Sequence, residues 1–246
     1  GVDITAEQFH EMMVSQEELP TTSQPSPGSF VEGFTRAAED AEQVIGVVLS
    51  SSLSGTFASA EAALALEPDL PVYLSDSLGT SLLQGLLVLK AAELAELATP
   101  PSDIVAELAR IRSRSGMLFT VDTFERLLAS GRVGKGKALL GTLLNLKPIL
   151  CLDPEGKVRL RGKAIGRKRV IRELLDTMQE DMGSVPQKVR FGIVNVGIPE
   201  ITSEVSEMLT ERYGEVEILS APATPVLSTH LGIGAWGLAY MVEDPS

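Results

Sequence analysis

Cysteine occurs once in the 246 residues, as Cys151, and histidine twice, as His10 and His230. A single thiol excludes an intramolecular disulfide framework and fits a reducing, cytoplasmic setting. So few imidazoles and thiols leave little from which to build a transition-metal site, and neither HExxH nor CxxC occurs. No stretch of about 18 residues runs without polar interruption, so no membrane-crossing helix is expected. The first residues, GVDITAEQFHEMM, carry no basic segment followed by an apolar one, and no secretory signal is read there. Aromatics make up only 4% of the chain. The expectation is a cytoplasmic protein without metal or cofactor, with at most peripheral membrane contact.

What is abundant is charge, unevenly placed. The net charge is −12, yet sixteen of the 21 Lys and Arg fall between Arg110 and Arg172. Only Asp122, Glu125, Asp153 and Glu155 oppose them there, so this segment stands at +12 and the remainder at −24. One reading is a solvated basic face that offsets the acidic remainder. The other is a docking surface for phosphate or an acidic partner. Nucleic acid is disfavoured, because no aromatics interleave with the basic run and the acidic remainder repels a polyanion.

The length suits one large domain or two small ones. Residues 44–49 and 71–75 read as short buried strands, with a helix over 55–67 between them that Pro68 stops. A second helix is predicted over 79–97 and a third from Ser102, its N-cap, to Arg112. Such alternation predicts a mainly parallel sheet flanked by helices. Near 112–116 the pattern changes, which places a domain boundary between residues 113 and 114. Beyond it, strands are predicted at 117–123, 148–152, 157–165, 189–196 and 215–220, and helices at 124–130, 136–145, 167–182 and 200–213. The fold class is therefore α/β with two units, the second a mixed sandwich, and a ligand expected at their interface.

Three polar loops carry the candidate chemistry. The first, LSSSLSGTFASA at 49–60, leads from a buried strand into a helix. Unpaired N–H groups and the helix dipole make such a place an anion site. Ser54 is the predicted N-cap, Gly55 permits close backbone approach and Thr56 adds a donor. Against this, serine is simply a good cap, and most caps bind nothing. The second, PTTSQPSPGSF at 20–30, repeats the hydroxyls with Thr21, Thr22 and Ser23, then offers Ser26 and Pro27 as N-cap and first residue of a helix. The third, LSTHLGIGAWG at 227–237, reads as an irregular segment able to carry His230 to another part of the molecule. Loops of this kind converge at the carboxyl ends of strands in α/β folds.

TSQPS at 22–26, SSSLSGT at 50–56, DTFERLLASGRVGKGKALLGTLLNLKPIL at 122–150 and THLGIGAWG at 229–237 resemble, in that order, the DegV family. The resemblance covers nearly the whole chain. It implies a bacterial fatty-acid-binding protein that is not itself an enzyme, the lipid-carrying subunit of a fatty acid kinase active in phospholipid synthesis. The long-chain fatty acid would lie in a buried tunnel between two α/β domains, and an ATP-dependent kinase subunit would be the partner. By the motifs, Thr22, Ser54 and His230 would hold the carboxylate, with Ser23, Gly55, Thr56 and Gly232 as supporting loop positions. The family's basic segment is matched loosely by 157–172, leaving Arg159, Arg161 and Arg167 open as its arginine. With Arg169 these are the candidates for docking or phosphate shielding. Family members usually open with a strand carrying an Asp-Ser pair ahead of the stretch at residues 3–9, and that strand is absent from this sequence. Leu82, Leu83, Leu86, Leu87, Met117 and Phe119, with leucines at 139, 140, 143 and 144, are tunnel candidates or ordinary core.

Three rival readings compete. An acyl hydrolase would use Ser54 and His230, but GxSxG is absent and no motif places an acid to orient the histidine. The spacing of Gly131, Gly136 and Lys137 matches a P-loop, yet Ala138 stands where the metal-binding hydroxyl belongs and the preceding segment reads as helix. A binding module for another small carboxylate or lipid shares every hydroxyl and lacks only the long apolar channel.

Overall fold

The computed structural model describes residues 3–15, 20–133, 146–183 and 186–243. Strand β1 (Val44–Val48), helix α3 (Thr56–Leu66) and strand β2 (Val72–Asp76) form a parallel β-α-β unit, with Val44 opposite Val72. Helix α2 (Pro27–Glu39) packs on α3 and β1 through Phe34, which joins Val48, Ala60 and Ala63 in a small buried cluster. Its start follows the expectation: the Ser26 hydroxyl accepts the Ser29 N–H at 3.1 Å, and proline, with no N–H to lose, opens the helix.

Helix α4 (Ser81–Glu96) lies between two sheets, touching β1 on one side and strands of the second sheet on the other. Burial on both sides explains why its apolar residues, among them Leu83, Leu86, Leu87 and Ala91, do not form one stripe. Helix α5 (Pro101–Arg112) packs beside it. Its N-cap is Pro100, and Ser102 is the second residue of the helix, contrary to the capping role predicted for it. A proline at the first helical position presets the backbone there, so no serine cap is needed.

The second sheet has six strands in the order β5-β4-β3-β8-β6-β7: β3 (Gly116–Thr120), β4 (Leu146–Leu152), β5 (Val158–Ile165), β6 (Val189–Asn195), β7 (Glu217–Pro222) and β8 (Trp236–Val242). Among the described strands of this sheet, β6 and β7 alone pair in parallel with each other, through α8 (Glu200–Tyr213). Helices α7 (Arg167–Met182) and α8 cover one face, and α4 and α5 the other. Side chains alternate between the two: Met117 and Phe119 join the α4 side, and Leu118 joins the α7 side. Helices α1 (Ala6–Ser15), α6 (Glu125–Ala129) and α9 (Pro225–Leu231) complete the described elements, α1 and α6 both packing on α9.

The third polar segment departs from its reading as one irregular loop. Residues 225–231 are helix, Gly232 and Gly234 turn the chain at φ of 80° and 88°, and β8 starts at Trp236. All seven β8 residues are buried, so the strand has no polar alternation to reveal it. The helix predicted at 136–145, with its four leucines and the P-loop-like Gly136 and Lys137, lies outside the described residues. Leu83, Leu86, Leu87, Met117 and Phe119 share one buried cluster, with Leu82 packed against it. No described helix is long and apolar enough to cross a membrane.

Candidate functional site

The serine-rich stretch divides its work. Ser50 is fully buried; its hydroxyl donates to the Gly156 carbonyl at 3.0 Å and accepts the Ser52 N–H at 3.2 Å. Ser52 donates to the Glu155 carbonyl at 2.7 Å. Both therefore tie the end of β1 to the β4–β5 turn of the other sheet. The Ser51 N–H meets the Asp76 carboxylate at 3.3 Å. Ser54 turns the other way: its Oγ lies 2.8 Å from Thr56 Oγ1 and accepts the Thr56 N–H at 3.3 Å. The N-cap of α3 is Gly55, whose carbonyl accepts the Ser59 N–H at 2.9 Å, so Ser54, predicted as the cap, stands one residue ahead of it.

A side chain at Gly55 would have to displace Gln24, which crosses it. A Cβ there would lie 2.5 Å from both polar atoms of the Gln24 amide, whose Nε2 reaches Ser59 Oγ at 3.4 Å. The close approach is made by this side chain rather than by backbone. Two residues earlier, Thr22 Oγ1 lies 2.9 Å from His230 Nε2. Two residues of extended chain span at most about 7 Å. The stretch 22–24 thus joins the end of α9 to the beginning of α3. Ser23 between them is exposed.

His230 sits in the last turn of α9, and its neighbour Ser228 is held by His10 of α1 at 3.1 Å. Burial, and then the charge of Arg132, push the His230 pKa below its ordinary 6.5, so the ring is neutral at neutral pH. Nδ1 is buried and has no hydrogen-bond partner among the described residues. If the Thr22 hydroxyl donates to Nε2, the proton resides on Nδ1 as an unused donor, and an anion placed there selects that tautomer. Arg132 donates to the Leu53 carbonyl at 3.4 Å and to the Ser130 carbonyl at 2.6 Å, which links it to the loop bearing Ser54. Gln24 and Arg132 were missed as site residues, though TSQPS and SGRVG contain them. Their spacing carries no sign of the partners they meet.

Among the described residues, not all of the basic segment lies at the surface. Arg112 is buried and donates to the carbonyls of Ser77, Leu78, Ser115 and Asp153. Arg159 pairs with Asp153 at 2.8 Å, Arg161 with Asp181 of α7 at 2.6 Å, Arg167 with Glu200 and Glu204 at 3.1 and 2.9 Å, and Arg169 with Glu173 at 3.6 Å. Arg167 and Arg169 stand on α7, on the face of the sheet opposite α9. These four candidates are therefore not gathered with Thr22 and His230.

The hydrolase reading finds no relay here. Ser54 is engaged by Thr56, His230 Nε2 by Thr22, and no carboxylate meets Nδ1 among the described residues. Nor do the described residues contain a cluster of three or more His, Cys, Asp or Glu able to hold a metal ion.

Residues 1–243 match the family model "Uncharacterised protein, DegV family". The chain belongs to the DegV family. The protein DegV of Bacillus subtilis is 37% identical over 245 residues, covering 97% of this chain and 85% of that protein. A fatty-acid-binding DegV family protein from Thermus thermophilus superposes with a TM-score of 0.90 at 34% identity, over 98% of this chain and 85% of that one. The crystal structure of B. subtilis DegV, described as a fatty acid binding protein, gives 0.86 at 33% identity, over 98% and 86%.

Proposed function

We propose that this DegV family member binds one long-chain fatty acid. Its carboxylate meets Thr22, His230 and the Ser54–Thr56 turn, and its tail lies in a buried tunnel at the interface of two units, residues 1–113 and 114–246. The observation that carries the reading is the Thr22–His230 pair, whose second ring nitrogen, Nδ1, is buried and has no hydrogen-bond partner among the described residues. A carboxylate accepts hydrogen bonds only, and hydroxyls, a backbone N–H and a neutral imidazole N–H suit it. The fatty-acid-binding relatives above support the choice of ligand.

Magnitudes divide the labour. Each buried methylene contributes about 0.8 kcal/mol, so a long acyl chain grosses on the order of 10 kcal/mol. A carboxylate costs several kcal/mol to desolvate unless it is paired. The tail supplies affinity; the polar loops cancel the cost of the head and set which end faces outward. A carboxylate held at the entrance is then the nucleophile for a partner kinase: its oxygen attacks the terminal phosphorus of ATP, forming the acyl phosphate and releasing ADP. The protein alone carries no catalysis in this reading and needs no cofactor beyond its lipid.

Native mass spectrometry after gentle purification is expected to show a co-purified fatty acid. In titrations, palmitate should bind far more tightly than acetate or succinate, and Thr22→Ala with Ser54→Ala should weaken palmitate binding with the fold intact. Equal binding of short and long acids would instead identify a site for small carboxylates.

A further inference from the structure

The head of the site holds a second unspent donor. Arg126 is the second residue of the short helix α6, and its Nη1 is buried without a hydrogen-bond partner among the described residues. Its side chain lies along Gly232, the residue that ends α9 two places after His230: a Cβ at Gly232 would stand 3.0 Å from Arg126 Cδ and 3.4 Å from Nε. Gly232 thus combines a positive φ with a surface bare enough to admit a guanidinium. Arg132, just beyond the other end of α6, acts on the His230 charge state. Two guanidinium groups therefore flank the last turn of α9, one from each end of a five-residue helix.

The nearby acids do not account for Arg126. Asp122 is paired with Lys147 at 2.7 Å and packs against Gly234. A buried guanidinium nitrogen left without an acceptor is costly, and an arginine fork fits carboxylate and phosphate oxygens. In the sequence Arg126 stands out only as one charge of the basic run.

We infer that Arg126 is a binding contact for the ligand head, giving the His230 end of the site a cation that selects an ionised lipid over a neutral one. The inference rests on the fatty-acid reading. In that setting His230, neutral at physiological pH, donates a hydrogen bond from Nδ1, and Arg126 supplies the formal charge that the imidazole lacks. The bland alternative is that Arg126 merely lies against the carbonyl end of α9 and steadies that helix.

Titrations of palmitate and of hexadecanol against wild type, Arg126→Met and Arg126→Lys separate these. Methionine keeps the apolar stem of the side chain and removes the charge; lysine keeps the charge and removes the fork. The expected result is a loss of palmitate affinity of about tenfold or more in Arg126→Met, on the scale of a charge-assisted hydrogen bond. Hexadecanol affinity should be unchanged, and Arg126→Lys should fall between. Wild-type palmitate affinity in either variant overturns the inference, as does an equal loss for acid and alcohol, which is the mark of a structural role. Should Arg126→Met not fold, the palmitate-to-hexadecanol ratio of Arg126→Lys against wild type decides in the same way. Failure of wild type to bind palmitate at all would refute the underlying fatty-acid reading, and is recognised before any variant is made.

Discussion

Three of the four serines between residues 50 and 54 face three environments. Ser50 is sealed between sheets, Ser52 reaches the β4–β5 turn, and Ser54 lies beside Thr56 near the candidate site. Ser50→Ala leaves the Gly156 carbonyl and the Ser52 N–H without their partner, an expected loss of about 1–3 kcal/mol in urea unfolding. Ser54→Ala should change stability by less than about 1 kcal/mol and act on palmitate affinity instead. Gly156 stands at φ 73° against the Ser50 hydroxyl, so Gly156→Ala adds backbone strain to a clash and should destabilise more than Ser50→Ala. His230 is read from pH. Its folded pKa is depressed, so the unfolded chain takes up the proton more readily. The stability it contributes is complete above the ordinary value of 6.5 and is lost as pH falls through the lower folded value. In the ligand-free protein His230→Gln should flatten that part of the stability profile.

Helix α4 shows how an element is fastened. Glu243, just after β8, has a side chain only 2% exposed, with Lys90 of α4 at 2.6 Å, Lys188 at 3.1 Å and Arg190 of β6 at 2.8 Å. Arg190 also pairs with Glu93 of α4. Burial opposes ionisation of Glu243, but hydrogen bonds from Lys90 and Lys188 and the Arg190 charge outweigh it, and the carboxyl titrates below its ordinary value. Glu243→Gln removes the buried charge that Lys90 and Arg190 share with Glu93, an expected cost of about 3 kcal/mol. For a chain of this size that lowers the melting temperature by roughly 10 °C, measurable by calorimetry. The same folded-state shift means that the clamp weakens as pH falls through the lowered carboxyl pKa. How well each element could be read follows its packing. Helices α7 and α8 each rest one face on a sheet, and their bounds agree with the predicted 167–182 and 200–213. Strand β8 is buried on both faces and α9 is only seven residues long, so neither leaves a period to detect.

Across the whole molecule the charge tally misleads. The sum over 110–172 suggests one basic surface, yet Arg112 is interior and the four docking candidates are each neutralised by an acid of the chain itself. Under the proposed kinase partnership, Arg167→Glu with Arg169→Glu should spare palmitate binding, because α7 and α9 occupy opposite faces of the sheet. Acyl-phosphate yield with partner and ATP should fall, since these side chains are exposed and lie outside the lipid site.

The sequence by itself determined the α/β class, most helices and the family, and its motifs named Thr22 and His230 as candidates. Periodicity, caps and motif order are local or linear signals, and they survive without coordinates. Only the tertiary structure decided which serines fasten the sheets, that Gln24 crosses Gly55, that Arg126 lies along Gly232 and that the charge of Arg132 bears on His230. A hydroxyl or a guanidinium has no role until a distant segment presents its partner. That partner is set by the packing of the two sheets, which no single stretch of residues encodes.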